Sequence, residues 1–152
     1  MKSWPKIFVA CVSTLGVAAC DRPAAWLTDA QATPPLTVTE AWARAADSGA
    51  TTAVYLTVDN AAMVSDTLSA VTSDVAEDVG LHISMAQNGT MHMAQLRALP
   101  VPAQDSVPLR PMGAHLMLTR LRRPLVEDDT VVVTLTFVSG TTIEVRAGVR
   151  KP

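Results

Sequence analysis

The chain has 152 residues, with 12 basic and 14 acidic side chains, three histidines, two cysteines and a net charge of −2. That length suits one hydrophobic core, and without a basic excess it has no electrostatic footprint for nucleic acid as a partner. Both cysteines, Cys11 and Cys20, lie near the N-terminus, so a disulfide framework and a thiolate metal site are excluded from everything that follows them.

Lys2 and Lys6 precede an apolar stretch, Ile7 to Val17, which ends in Val17-Ala18-Ala19-Cys20. The stretch is too short to span a bilayer as a mature helix and has the layout of a secretory signal. Its end resembles a bacterial lipobox, with Val17 where Leu is commoner. On this reading residues 1–19 are a lipoprotein signal peptide, and Cys20 becomes the acylated first residue of the mature chain. Each buried acyl methylene contributes ~0.8 kcal/mol, so two chains hold the protein stably. The alternative is cleavage at a nearby Ala to give a soluble periplasmic protein. Asp21 after Cys20 resembles the signal that retains lipoproteins at the inner membrane of enteric bacteria. Cys11 leaves with the signal, and the mature chain keeps ten bases against fourteen acids.

Residues 20–35 are polar and rich in Ala and Pro, with no period of 2 or 3.6, and read as a lipid-anchored tether. A flexible segment of that length reaches on the order of 20 Å. The remaining segment, 36–150, is the folded domain. Its strand-like runs are 36–42, 52–58, 67–72, 79–85, 91–96, 114–118, 130–137 and 142–149. TVVVTLTFV is dense in β-branched residues and TTIEVRAGV alternates with period 2. The breaks fall at Asp47-Ser48-Gly49, Asp59-Asn60, Asn88-Gly89, Pro100 to Pro111 and Ser139-Gly140. Strand signals about every ten residues and no long amphipathic helix predict an all-β sandwich or barrel.

Asn88-Gly89 between two strand-like runs is a strong signal for a two-residue type I′ hairpin. With those two residues as the loop, Gln87 pairs with Thr90, Ser84 faces Met93, and His82 faces Gln95. Alternation then puts His82, Ser84 and Ala86 on one face with Met91, Met93 and Gln95, and sends Met85 and His92 to the other. In Ala114-His115-Leu116-Met117-Leu118, His115 and Met117 share a face while the leucines point to the core. The histidine and methionine are then expected at or near the surface.

His82, Met93, His115 and Met117 combine imidazoles with soft thioethers in a domain without thiols. Imidazole suits copper and thioether sulfur selects Cu(I); a blue-copper centre is excluded because it needs a Cys ligand. Taken singly, a Met is usually core filling and a His a surface or hydrogen-bonded residue. Five of the six methionines after the initiator, and all three histidines, fall between His82 and Met117. Periodicity alone leaves a metal site and an accident evenly matched. Nothing in the chain resembles a nucleophile with its base, a phosphate loop or a paired-carboxylate site, so no enzyme is read here.

The spacing His-x10-Met-x21-His-x-Met resembles the signature of the periplasmic copper chaperones of the PCuAC type at all four positions. AWARAA around Trp42, AVYLTVDN ending at Asn60, GTMHM around Met93 and GAHLMLTRLRRPLVEDDTVVVTLTF from Gly113 to Phe137 extend the likeness over Leu36 to Arg150. The resemblance implies a cupredoxin-like Greek-key sandwich that binds one Cu(I) through His82, Met93, His115 and Met117. Met91, Met85 and His92 are possible auxiliary contacts, with Met91 the best placed. It further implies delivery to the CuA site of cytochrome c oxidase by transient contact, with the protein acting as a monomer. Ile83 stands where the family often has an acidic residue, so any contact that acid makes is missing here. The alternatives are a copper-buffering or resistance protein and a metal-free envelope interaction module.

Overall fold

The β-branched and alternating runs of the sequence become ten strands in the computed structural model, which describes residues 35–151. The expected signal segment 1–19, Cys20 and the tether up to residue 34 lie outside the described residues. The strands are β1 (Leu36–Arg44), β2 (Thr52–Asn60), β3 (Asp66–Thr72), β4 (Ala76–Gln87), β5 (Thr90–Leu96), β6 (Leu99–Val101), β7 (Asp105–Leu109), β8 (Ala114–Leu121), β9 (Thr130–Phe137) and β10 (Thr142–Arg150). They join in the order β5-β4-β8-β2-β1-β10-β9-β3-β6, with β7 added beside β2. The expected all-β, cupredoxin-like sandwich is present.

Alternation decides what the core contains. Val131, Val133, Leu135 and Phe137 of β9 are buried at every second position, and Val145, Ala147 and Val149 of β10 do the same. Val54, Leu56 and Val58 of β2 and Leu116 and Leu118 of β8 meet them in one apolar cluster. All neighbouring strands pair antiparallel except β1 and β10, which run parallel. A bulge in β1 between Thr39 and Trp42, with Glu40 at a φ of 55°, resets its register against β2. Trp42 thereby comes opposite Tyr55.

The hairpin follows the expected register. Asn88 and Gly89 have φ of 52° and 76°, the two positive values that a type I′ turn demands. Gln87 pairs with Thr90, Ser84 with Met93 and His82 with Gln95.

Two expected breaks are strands instead. Pro100 to Pro111 contains β6 and β7, each paired along one side only, to β3 and β2. Proline donates no backbone hydrogen bond and is confined to such edges, so Pro100 and Pro108 disguise the strands rather than forbid them. Asp59-Asn60 completes β2, because the buried Asn60 side chain supplies hydrogen bonds that a turn would otherwise need. Its amide nitrogen donates to the carbonyls of Val64 and Pro102, and its oxygen accepts from Ala62 N–H.

Leu116 is fully buried on the underside of the strand that carries His115 and Met117. Leu116→Ala is expected to cost about 2–5 kcal/mol in denaturant unfolding, because the cavity cannot fully collapse between paired strands. A loss below 1 kcal/mol would mean that this leucine is not part of the core.

Candidate metal centre

Strand β8 lies between β4 and β2, and its register decides which side chains meet. His115 stands directly opposite His82, and Met117 opposite Gly80. On the other side Met117 faces Ala53 of β2. Across β4, Ser84 faces Met93 of β5. One sheet face therefore presents Met93, Ser84, His82, Gly80, His115, Met117, Ala53 and Tyr55 on four adjacent strands. Gly80, Ser84 and Ala53 are small, so the sheet is depressed between the larger groups. An open hollow of about 460 Å³ results, and Met93, His115, Met117, Ser84, Ala53 and Tyr55 are among its lining residues.

His115 differs from expectation in being only 5% exposed. The reason is that β8 is interior to the sheet: the His82 and Tyr55 rings flank it, each with its centroid 6.2 Å away. Its Nδ1 lies 3.0 Å from the Gly113 carbonyl oxygen. A carbonyl only accepts, so Nδ1 carries the proton in this pairing and Nε2 keeps its lone pair. This is the arrangement in which a ligating histidine is held by its other nitrogen.

The His82 ring lies along its own strand over Gly80. A Cβ added to Gly80 would sit 3.1 Å from His82 Nε2, tighter than about nine in ten real contacts of that kind. Glycine thus gives the ring its room, and any side chain there would require the imidazole to shift by a few tenths of an ångström. His82 and His115 are roughly parallel, at 29°. With a metal–nitrogen bond of about 2 Å, two imidazoles on one ion have centroids roughly 5–6 Å apart, so their 6.2 Å separation is close to a shared-ion value. His82 does not line the hollow itself and lies beside His115, which does.

Of the other expected candidates, Met91 shares the face of Met93, whereas Met85 and His92 form a cross-strand pair on the opposite face. Met93 is 55% exposed and Met91 44%. Sequence reasoning missed Met112, which also lines the hollow and is 70% exposed. Met112 sits in the turn before β8 at a φ of 65°, off any strand alternation, and only the local density of methionines hints at it. Tyr55 was missed too: its ring backs His115 and packs 4.6 Å from Trp42.

Among the described residues no group of three or more His, Cys, Asp or Glu side chains is placed to hold a metal ion. The lining of the hollow carries imidazole and thioether donors and no carboxylate, a donor set softer than hard cations require. Burial and the neighbouring His115 hold the His82 imidazole below its ordinary range, with Asp78 opposing weakly. Both causes favour the neutral ring, the form that binds metal.

The model of the LpqE-like family, described as putative lipoproteins, matches residues 36–149. The chain belongs to the LpqE-like family. Putative lipoprotein Lxx21020 of Leifsonia xyli subsp. xyli (strain CTCB07) is 32% identical over 139 residues, covering 90% of this chain and 83% of that protein. Among solved structures, the Cu(I) form of DR1885 from Deinococcus radiodurans is 32% identical, with a TM-score of 0.60 over 85% of this chain and 87% of that one. The copper-bound PCuAC domain from PmoF2 has a TM-score of 0.66 at 24% identity, over 80% of this chain and 97% of that domain. This LpqE-like chain therefore has the fold of PCuAC domains.

Gly80→Ala is expected to leave the fold intact and displace the His82 ring, read as a change in its imidazole NMR signals; an unmoved ring would contradict the contact. In the same spectra His82 is expected to titrate below ~6.5. The folded state then holds fewer protons than the unfolded chain, so this residue's contribution lowers stability as pH drops through that value. A midpoint above 6.5 would reverse the sign.

Proposed function

We propose that this LpqE-like chain carries one Cu(I) ion, bound by His82, Met93, His115 and Met117, and passes it to a copper-dependent protein. One observation carries the reading: Met93, His115 and Met117 border a single hollow, with His82 beside His115, and the described residues offer no carboxylate or thiolate metal cluster to compete. The copper in the PmoF2 domain and the Cu(I) in DR1885 support it. The lipoprotein description of the family and of the Leifsonia relative supports the rest of the assignment: a signal at 1–19, a lipid on Cys20, a tether over 20–35 and a binding domain over 36–150, held at the inner membrane and facing the periplasm.

The chemistry follows from neutral, soft ligands. Thioethers cannot form disulfides, so they stay usable in an oxidising compartment. Two Met and two neutral His add no negative charge to the site. An acceptor bearing thiolates takes Cu(I) from them by stepwise exchange, downhill in free energy. Exposed Met93 is the ligand an incoming thiolate displaces first. His115, buried and held through Nδ1, keeps its place and is the last to release. The acceptor in this reading is the CuA site of cytochrome c oxidase. No bond is made or broken in an organic substrate.

An anaerobic titration is expected to give one Cu(I) per domain. His115→Ala and Met117→Ala should each weaken binding at least about tenfold, or ~1.4 kcal/mol. Unchanged affinity in both variants would remove the site. Proton competition at His82 should weaken binding as pH falls, and its lowered range moves that loss below the ordinary imidazole value. Binding that is flat to pH 5 would leave the methionines alone as ligands. A deletion strain should lose oxidase activity at low copper; losing only growth at toxic copper would make the protein a buffer.

A further inference from the structure

A second hollow adjoins the first and shares Tyr55 and Pro111 with it. It is bordered by Glu40, Trp42, Arg110 and Arg150. Arg44 borders the first hollow together with Met93 and Met117. These three arginines are exposed, and none is ion-paired among the described residues. Elsewhere on the described surface four basic side chains are paired, while Arg97 and Arg122 are exposed and unpaired away from these two hollows. Arg120, Arg123, Arg146 and Lys151 lie against Glu77, Asp129, Glu144 and Glu127. The chain as a whole is acidic, with 14 acids to 12 bases, yet three of the five unpaired arginines among the described residues border these adjoining hollows, beside Met93, His115 and Met117. No acid lines the first hollow; Glu40 borders the second with Arg110 and Arg150, and Asp78 is near His82.

We infer that Arg44, Arg110 and Arg150 form a cationic docking rim for a protein partner whose metal-accepting face is acidic. The inference rests on the Cu(I)-carrier reading for its purpose, but its charge pattern stands apart from the ligands. Arginine stays protonated and does not ligate metal, so the rim orients a partner without holding the ion. Arg150 lies 5.6 Å from the centroid of the Trp42 ring, which props its guanidinium over the second hollow. Opposed charges raise the encounter rate and fix orientation more than they add affinity. That is the requirement of a carrier that must meet its acceptor, transfer and leave. An anionic bilayer is the rival occupant. A protein is favoured because the rim borders a recessed hollow with partly buried His and Met, and transfer demands an acceptor group reaching into it.

The test uses two synthetic dithiol peptides that bind Cu(I) and differ only in residues flanking the thiols, Glu in one and Lys in the other. Stopped-flow transfer from the loaded wild-type domain at low salt is expected to be about tenfold faster to the Glu peptide, with the difference shrinking as salt screens it. The triple variant R44Q/R110Q/R150Q should lose that difference while keeping its Cu(I) titration and thermal midpoint. Equal rates to the two peptides in the wild type, or a difference that survives the triple substitution, would overturn the rim. A parallel measurement needs no copper: the metal-free domain should bind the labelled Glu peptide in preference to the Lys peptide, and lose that preference in the triple variant. If copper does not bind but this preference holds, the carrier reading fails and the rim stands. Binding of the metal-free domain to vesicles containing anionic lipid, lost in the triple variant without any peptide preference, would assign the arginines to the membrane and also overturn the proposal.

Discussion

Everything distinctive about this domain depends on the register between β4 and β8. Pairing His82 with His115 and Gly80 with Met117 puts two imidazoles and a thioether on one face, with a vacant Cβ position between them. A slip of β8 by one residue would turn His115 and Met117 into the apolar core and bring Leu116 and Leu118 to the surface. The penalty for exposing two fully buried leucines fixes the register, at roughly 1.5–3 kcal/mol for each side chain. The candidate site is therefore positioned by the core beneath it.

The same arrangement explains why the site is soft and only partly exposed. The interior strand contributes His115, buried and tied to the Gly113 carbonyl. The outermost strand on that side, β5, contributes Met93, which is more than half exposed. A buried, hydrogen-bonded side chain at the base and an exposed one at the rim would suit an ion that must be held and then surrendered. Surrounding apolar groups and the absence of a nearby carboxylate cluster disfavour hard cations, whose binding depends on oxygen ligands.

Much of this was legible in the sequence because the determining signals were local. Asn88-Gly89 has one strongly preferred turn geometry, and that turn fixed the pairing of Ser84 with Met93 before any tertiary information was needed. Alternation in 114–118 likewise separated His115 and Met117 from the leucines. Features that depend on distant contacts were not legible. The burial of His115 comes from Tyr55, which reaches it only because β2 lies beside β8. Pro100 and Pro108 read as breaks because the edge positions that tolerate them are a property of the whole sheet. Met112 belongs to no alternating run and joins the hollow through a turn.

Gly80 illustrates the limit most clearly. In sequence it is one glycine in a strand, two residues before a histidine. In the fold its missing side chain is the space in which that histidine lies. Neither composition nor period carries such information, since it concerns the path of a ring rather than the face of a strand.

X-ray absorption at the copper edge of the Cu(I)-loaded domain tests the central claim most directly. A mixed shell is expected, with nitrogen at about 2.0 Å and sulfur at about 2.3 Å by analogy with other late first-row metals. The sulfur contribution should fall when Met93 and Met117 are replaced together by Leu. A shell of nitrogen and oxygen alone, or a sulfur contribution indifferent to those substitutions, would contradict the account.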